Sequence, residues 1–347
     1  MSVFESPSFD EHELVHFACD TVTGLQAVIA VHSTALGSAC GGCRFWSYPN
    51  SEEALKDALR LSRGMSYKNA MAGIPLGGGK AVIMGEPGMK TPDLMRAFGR
   101  VVERLGGCYI TAEDVGVTVQ DMQYVAEETR YVHGLPHEHS AGGDPSPYTA
   151  QGVFLGMKAA LLHQMGKADF KGVRVLVQGV GNVGFNLCKL LHAAGAELIV
   201  ADINDQNLRR VKALLPVKIV DVEDLLAQEA DIYSPCALGA VLNEQTIPVL
   251  KSRIVAGGAN NQLAEARHGE LLRQRGILYA PDYVINSGGI INVWSEMKSL
   301  PRESVCDKVS GIYDTTLEIF KKADELGATS NQVADEMALA LIHGKAA

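Results

Sequence analysis

Two lysines and one carboxylate stand out for chemistry. Lys68 lies in Gly64-Met65-Ser66-Tyr67-Lys68-Asn69, and Lys80 closes Gly77-Gly78-Gly79-Lys80. A lysine's default place is solvated surface. Lys80 departs from it, because three glycines precede it and the apolar run Ala81-Val82-Ile83-Met84 follows. The third marker is Asp114 in Thr111-Ala112-Glu113-Asp114-Val115-Gly116. The glycine run is not a phosphate-binding P-loop. That motif needs Gly at position 74 and Ser or Thr at 81, where this chain has Ile74 and Ala81.

A second constellation points to a dinucleotide. Gly179-Val180-Gly181-Asn182-Val183-Gly184 follows the apolar strand Val173–Val177 and opens a helix, and Asp202 ends the next strand. Alone the G-x-G-x-x-G hexapeptide is weak; in a strand–turn–helix–strand context it is specific. Gly179 permits the tight turn, Gly181 lets backbone N–H groups approach a pyrophosphate, and Gly184 allows close helix–strand packing. The helix N-terminus at Asn182 and Val183 offers partial positive charge to phosphate. Asp202 can accept hydrogen bonds from ribose hydroxyls and would repel a 2′-phosphate, which favours NAD over NADP.

The elements that must carry these groups follow from periodicity. Leu25–Val31 and Ala81–Met84 read as strands. Ser51, with Glu52 and Glu53 behind it, reads as the N-cap of a helix. Thr91-Pro92-Asp93 opens another helix, which Gly106 can close, and Thr118 with Asp121 forms a capping-box variant for a helix through Thr129. Gly134–Pro147 holds three prolines and three glycines and reads as a connection. A helix is expected over 149–163, then strands at 173–178, 197–201, 217–220, 231–233, 253–256 and 277–279. Strands alternating with helices imply a parallel, doubly wound sheet. The fold class is therefore α/β with two domains. Residues 1–135 form an N-terminal α/β substrate-binding and catalytic domain, 136–148 the connection, and 149–324 a Rossmann domain. A C-terminal helix over about 325–347 packs back on the first. A linker between separated substrate and cofactor groups also predicts hinge closure.

Bulk properties agree. A chain of 347 residues suits two domains. A net charge of −9 without a basic stripe excludes nucleic acid as the partner. Apolar runs are too short to cross a membrane, and Met1–Asp20 lacks the basic start and apolar middle of a signal peptide, so the expected location is cytoplasmic. The seven cysteines are dispersed, which suits a reducing compartment. Cys40-Gly41-Gly42-Cys43 is a C-x-x-C with no second copy, so a redox or zinc role is the lesser reading. His137-Glu138-His139 is read as solvated loop rather than a metal site.

The motifs together resemble the glutamate/leucine/phenylalanine/valine dehydrogenase family, and within it the leucine type most closely. The matching stretches are Gly41–Arg44, Arg63–Lys68, Gly77–Lys80, Tyr109–Gly116, Glu127–Val132, Gln178–Val183, Ser234–Gly239 and Ala280–Asn286. They span nearly the whole chain. The resemblance implies a two-domain amino-acid dehydrogenase fold. It also implies reversible oxidative deamination, in which an apolar L-amino acid, NAD⁺ and water give a 2-oxo acid, ammonia and NADH. Lys68 binds the substrate α-carboxylate. Lys80 is the general base on water, a role that requires it to be largely neutral; burial beside a second cation is the arrangement that achieves this. Asp114 shuttles protons to and from the amino group. Gly41 and Gly42 let backbone lie close to substrate. Asn261 holds substrate or the nicotinamide ribose. Thr149 contacts the nicotinamide amide, and Cys236 and Ala237 join the cofactor site. Hydride passes straight from Cα to the nicotinamide, so no metal is required. The side-chain pocket is formed by Cys40, Ala112, Ile290 and Val293, which offer nothing to pair a side-chain carboxylate. Cys40 replaces an expected Leu, Ala81 an expected Thr, and Gly257-Gly258-Ala259-Asn260 differs in order. These departures bear on side-chain preference, and the smaller Cys40 leaves room for Met or Phe besides leucine, isoleucine and valine. The resemblance also implies a homo-oligomer, from dimer to octamer.

Three alternatives stay open. One is a phenylalanine- or tryptophan-type specificity. Another is a 2-hydroxy-acid dehydrogenase, although the histidines do not cluster in a matching motif. The third is a non-catalytic NAD-binding protein.

Overall fold

Residues 3–135 and 144–344 are described by the computed structural model. The chain folds as two compact units. One is Met1–Gly143 with Glu296–Ser299 and Ala338–Ala347; the other is Asp144–Ser295 with Leu300–Met337. Of the expected connection, residues 136–143, with His137-Glu138-His139, lie outside the described residues.

The first unit runs β1 (Leu14–Asp20), β2 (Leu25–Ser33), β3 (Ala39–Trp46), α1 (Ser51–Met71), β4 (Gly77–Met84), α2 (Pro92–Arg104), β5 (Tyr109–Glu113) and α3 (Val119–Ala126). The sheet order is β1-β2-β4-β3-β5. It is mixed: β2 is antiparallel to β1 and β4, whereas β3 is parallel to β4 and β5. Both faces of the sheet are covered, which explains the unbroken apolar run in β2. Leu25, Ala27, Ile29 and Val31 pack with Ala81, Ile83 and the α2 and α3 residues Phe98 and Met122. On the other face, Val28, Ala30 and Val82 meet Ala54, Ala58 and Leu59 of α1. The period of two along each strand sorts these sets.

Local signals mostly act as read, with three differences. The cap of α1 is Asn50, whose Oδ1 accepts from Glu53 N at 3.0 Å; Ser51 is the first helical residue. The Thr118–Asp121 capping box is formed in both directions, but α3 ends at Ala126 rather than Thr129. The strand expected from Ala81 begins at Gly77, so the triple glycine is strand rather than loop.

The second unit contains α4 (Ser146–Met165), β6 (Arg174–Gln178), α5 (Asn182–Ala193), β7 (Glu197–Ala201), α6 (Asp205–Leu214), β8 (Val217–Ile219), β9 (Ile232–Pro235), β10 (Ile254–Val255), α7 (His268–Gln274) and β11 (Leu278–Tyr279). Next come α8 (Asp282–Ile285), α9 (Gly288–Met297), α10 (Arg302–Ser310), α11 (Ile312–Leu326) and α12 (Ser330–Ile342), of which α9 from Glu296 and α12 from Ala338 are assigned to the first unit. The helix expected from Thr149 starts at Ser146, because Pro147 fits a first turn, where no amide donor is needed. The sheet is β11-β10-β9-β6-β7-β8, parallel throughout. Strand order reverses between β6 and β9, the switch point where doubly wound sheets open a crevice at the strand C-termini.

Candidate active site

Lys80 lies on β4 and is only 6% exposed. Its ammonium donates to Oδ2 of Asp114, the residue that follows β5. Between these two strands runs β3, with Gly41 and Gly42. A Cβ on Gly42 would sit 2.7 Å from Glu113 O and 2.8 Å from the Asp114 Cβ, and one on Gly41 would run into Gly79 O. The bare backbone of β3 is what lets the pair close across it.

The triple glycine has the same kind of cause. A Cβ on Gly77 would meet Ser33 O, one on Gly78 the Ser66 backbone of α1, and one on Gly79 the Tyr109 ring at 2.6 Å. Tyr109 is fully buried, and its hydroxyl donates to Gly41 O at 2.7 Å. It thereby fixes the carbonyl beside the ion pair. Lys68 stands half-buried in the last turn of α1. The same turn is tied to β4 by Asn69, whose Nδ2 donates to Gly77 O at 2.7 Å.

Asp114 also holds a residue that sequence reasoning passed over. Arg44 Nε donates to Asp114 Oδ2 at 3.3 Å, and Arg44 Nη1 donates to Asp57 Oδ2 at 2.8 Å. The Tyr48 hydroxyl donates to the same Asp57 oxygen at 2.6 Å. Burial alone would raise the Asp114 carboxyl, but the Lys80 ammonium and then Arg44 outweigh it and hold the group below its ordinary value. The available signal was Arg44 itself, at the end of the Gly41–Arg44 motif, with Asp57 early in the next helix.

Cys40 is buried on β3, opposite Gly78 and Ile110, and Ala112 is half-buried opposite Gly42. Burial pushes the Cys40 thiol up to about 12 and raises that of Cys43 as well. Neither is the low-pKa thiolate a redox pair needs. Among the described residues, no group of three or more His, Cys, Asp or Glu could hold a metal ion.

In the second unit, Gly179 follows β6 with φ +90°, a conformation that favours glycine. Its Cβ would strike the Ala237 Cβ at 2.7 Å, and one on Gly184 would run into Gly179 O. Gly181, just before α5, has nothing within 4 Å of the Cβ position. Protein packing therefore demands two of the three glycines, whereas the third faces open space beside the N-terminus of α5, which has no side-chain cap. That is the cradle a pyrophosphate fits. Cys236 and Ala237 follow β9 against this turn, and Val183 packs where a Gly258 Cβ would lie, at 2.8 Å. Asp202 Oδ2 accepts from Val180 N at 2.8 Å, and Oδ1 from Asn204 N at 2.8 Å. Arg210 donates to Val180 O at 3.0 Å and Gly181 O at 3.2 Å, with its guanidinium 4.3 Å from the Phe185 ring centre. The turn is thus gripped by an acid at its N–H and a cation at its carbonyls.

Thr149 of α4 is half-buried, and its Oγ1 would lie 2.7 Å from a Cβ on Gly289. Ile290 and Val293 stand half-buried one turn apart on α9. Asn261 is exposed in the left-handed region, at φ 52°, and its carbonyl accepts from Ala240 N at 2.7 Å. Of the four expected side-chain pocket residues, Cys40 and Ala112 belong to one unit, Ile290 and Val293 to the other.

Comparison with known proteins agrees along the chain. Residues 12–131 match the family model described as Glu/Leu/Phe/Val dehydrogenase, dimerisation domain, and residues 144–207 and 200–334 match Glutamate/Leucine/Phenylalanine/Valine dehydrogenase. A leucine dehydrogenase of Geobacillus stearothermophilus is 49% identical, covering 97% of this chain and 92% of its own. A phenylalanine dehydrogenase of Bacillus thermotolerans is 46% identical, covering 97% and 89%. The crystal structure of L-tryptophan dehydrogenase from Nostoc punctiforme aligns with TM-score 0.85 at 46% identity, covering 96% of each chain. The ion pair, the dinucleotide cradle and these matches agree: the chain belongs to the Glu/Leu/Phe/Val dehydrogenase family and is an amino-acid dehydrogenase.

Proposed function

We propose that the protein catalyses the reversible, NAD-dependent oxidative deamination of branched-chain L-amino acids, leucine foremost, to 2-oxo acids and ammonia. The observation that carries the chemistry is the ion pair of buried Lys80 with half-buried Asp114 across the bare backbone of Gly41 and Gly42. Lys68 binds the substrate carboxylate as a point charge. Lys80 takes the proton of the attacking water and then polarises the forming carbonyl oxygen. Asp114 moves protons to and from the substrate nitrogen, for which a carboxylate kept ionised is the required starting state. The turn Gly179–Gly184 with Asp202, Thr149, Cys236, Ala237 and Asn261 forms the residue set for NAD, which when bound accepts the hydride leaving Cα. Asp202 favours NAD over NADP, because a 2′-phosphate would meet its carboxylate.

Cys40, Ala112, Ile290 and Val293 are proposed to line the side-chain pocket. All are apolar or nearly so, and a glutamate side chain would bury a charge without a partner there. The identity to leucine dehydrogenases supports an aliphatic substrate. A second reading, an aromatic side chain, draws on the tryptophan and phenylalanine dehydrogenases at 46–47% identity. The dimerisation description of the first family model supports a homo-oligomer, from dimer to octamer. No helix among the described residues is long and apolar enough to cross a membrane; a cytoplasmic location is part of the same proposal.

The test is NADH oxidation with ammonia and a panel of 2-oxo acids. The expected order puts 4-methyl-2-oxopentanoate and its branched relatives first and 2-oxoglutarate last. Fastest turnover with phenylpyruvate or indolepyruvate selects the aromatic reading. Oxidation that proceeds without ammonia, or fastest on 2-oxoglutarate, overturns both.

A further inference from the structure

Asp114 is proposed to work by gaining and losing a proton beside a lysine that does the same. This creates an electrostatic problem. Whenever Lys80 is neutral, its attraction for the carboxylate disappears, and a largely buried carboxylate without a counter-charge takes up a proton. It could then no longer accept one from the substrate nitrogen. A second cation that never gives up its proton solves the problem, and arginine is the side chain that qualifies.

We propose that Arg44 is the positioning residue for Asp114, a permanent cation braced by Asp57 and Tyr48 that holds the carboxylate in place and ionised through the lysine's protonation cycle. The proposal rests on the reading of Asp114 as the proton shuttle. Three features carry it. Arg44 Nε and Lys80 Nζ converge on the same atom, Asp114 Oδ2. The other arm of the guanidinium is tied 2.8 Å from Asp57 Oδ2 on α1, and the Tyr48 hydroxyl donates to that same oxygen at 2.6 Å, so Arg44 is fixed at both ends. The side chains of Arg44, Asp57 and Asp114 keep only 24–25% of their surface exposed, so solvent screens the chain of charges less than an open surface pair.

The groups facing Asp114 come from several elements. Lys80 approaches from β4 and Arg44 from β3, with Asp57 of α1 behind Arg44. The Val115 backbone also supports the anion. Cys43 of β3 and Tyr109 of β5 lie near as neutral groups, since burial raises both, and burial likewise raises Glu113 beside it. Arg44 is therefore the permanent cation of this set. Its removal raises the Asp114 carboxyl, so activity that needs the anion fails at a higher pH as the solution is acidified.

The experiment compares R44Q, R44K, D57N and D114N in the full-length enzyme, reading kcat and kcat/KM against pH, NAD affinity, and thermal midpoint. R44Q is expected to lose about 10–100-fold in kcat, the scale of a misplaced catalytic group. The acid limb of its kcat/KM profile should move to higher pH, with NAD affinity unchanged. R44K keeps the charge without the fork and should restore the acid limb more than kcat. D57N should shift both in the direction of R44Q by less. An R44Q enzyme with a native pH profile overturns the proposal whether or not its midpoint falls, since a lower midpoint alone is the mark of a merely structural residue. D114N separates the two readings: near-native turnover there defeats the shuttle role itself, whereas an inactive D114N beside a normal R44Q profile defeats only the role of Arg44.

Discussion

Gly79 is the position where crowding can be tested most cleanly. Its φ is not in the left-handed region, so alanine costs nothing in backbone strain. By restricting the unfolded chain, Gly→Ala alone would stabilise by about 0.4–1 kcal/mol. Against this, the new methyl would lie 2.6 Å from Tyr109 Cδ2, 3.0 Å from Cε2 and 3.1 Å from the Ala39 Cβ. Carbon pairs rest at about 3.5–4.0 Å, so the ring contact is short by about 1 Å. Tyr109 and Ala39 are both 0% exposed and have no free volume to retreat into. Overpacking of this kind costs about 1–3 kcal/mol, so the clash wins and Gly79→Ala destabilises by about 1–2 kcal/mol. At about 2–4 °C per kcal/mol for a domain of this size, the thermal midpoint falls by about 2–8 °C. Lys80 is the next residue and moves with the strand, so kcat should fall by up to about 10²-fold. Tyr109→Leu removes the obstructing ring at the cost of a cavity and of the hydrogen bond to Gly41 O. The double variant should therefore lose at least about 0.5 kcal/mol less than the sum of the singles. Differential scanning of the four proteins at one concentration, with kcat for each, decides. An unchanged midpoint and kcat in Gly79→Ala, or strict additivity with Tyr109→Leu, would refute the account of the triple glycine.

Lys80→Ala should lower kcat by about 10²–10⁴-fold while a fluorescence titration still reports NADH binding; near-native turnover rejects Lys80 as the base. Asp202→Ala removes the acceptor of Val180 N as well as the proposed ribose contact. It should raise the KM for NAD and relax discrimination against NADP; equal kcat/KM for both cofactors in the unaltered enzyme contradicts the assignment. Burial and then His12 hold the His32 imidazole down to about 4, so it stays neutral in the fold while an unfolded histidine protonates near 6.5. The unfolded state binds the extra proton, so stability should fall as pH drops from about 6.5 toward about 4, and His32→Asn should flatten that fall; parallel midpoint-against-pH curves for the two proteins exclude it.

The second unit was more legible than the first for a physical reason. In a parallel sheet buried on both faces, strands are short apolar runs between helices, and Val173–Val177 or Glu197–Ala201 stand out in any window. The first unit hides β1, β3 and β5 and the start of β4. β1 is a half-buried edge strand whose exposed positions blur the alternation. β3 carries Gly41 and Gly42 in its middle, and β4 opens on three glycines, residues that punctuate turns far more often than they build strands. Nothing within the local sequence says that a tyrosine ring or a helix backbone lies against each missing side chain. Lys80 and Asp114 could be named because each sits in a distinctive stretch. Arg44 gained no role, because its partners come from α1 and from the turn after β5. Ion pairing between elements leaves no mark in spacing.

The glycines themselves give a way to separate what the fold needs from what a ligand needs. At Gly41, Gly42, Gly77, Gly78 and Gly79 the protein's own atoms occupy the place of a Cβ, and at Gly179 and Gly184 they do so again. Those seven are accounted for without any ligand. Substrate approach, the proposed reason for Gly41 and Gly42, is not needed to explain them, since Gly79 O occupies the Cβ place at Gly41 and Glu113 O with the Asp114 Cβ occupies it at Gly42. Gly181 is the exception. It is the middle glycine of the cofactor turn, its φ is not left-handed, and the space beside it is open. An alanine Cβ there would meet no atom of the protein. A glycine whose Cβ place is open, set at the start of a helix without a side-chain cap, is consistent with the proposed phosphate neighbour. Within the turn Gly179–Gly184, Gly181 is the one glycine that packing leaves unexplained, as the proposed dinucleotide site requires.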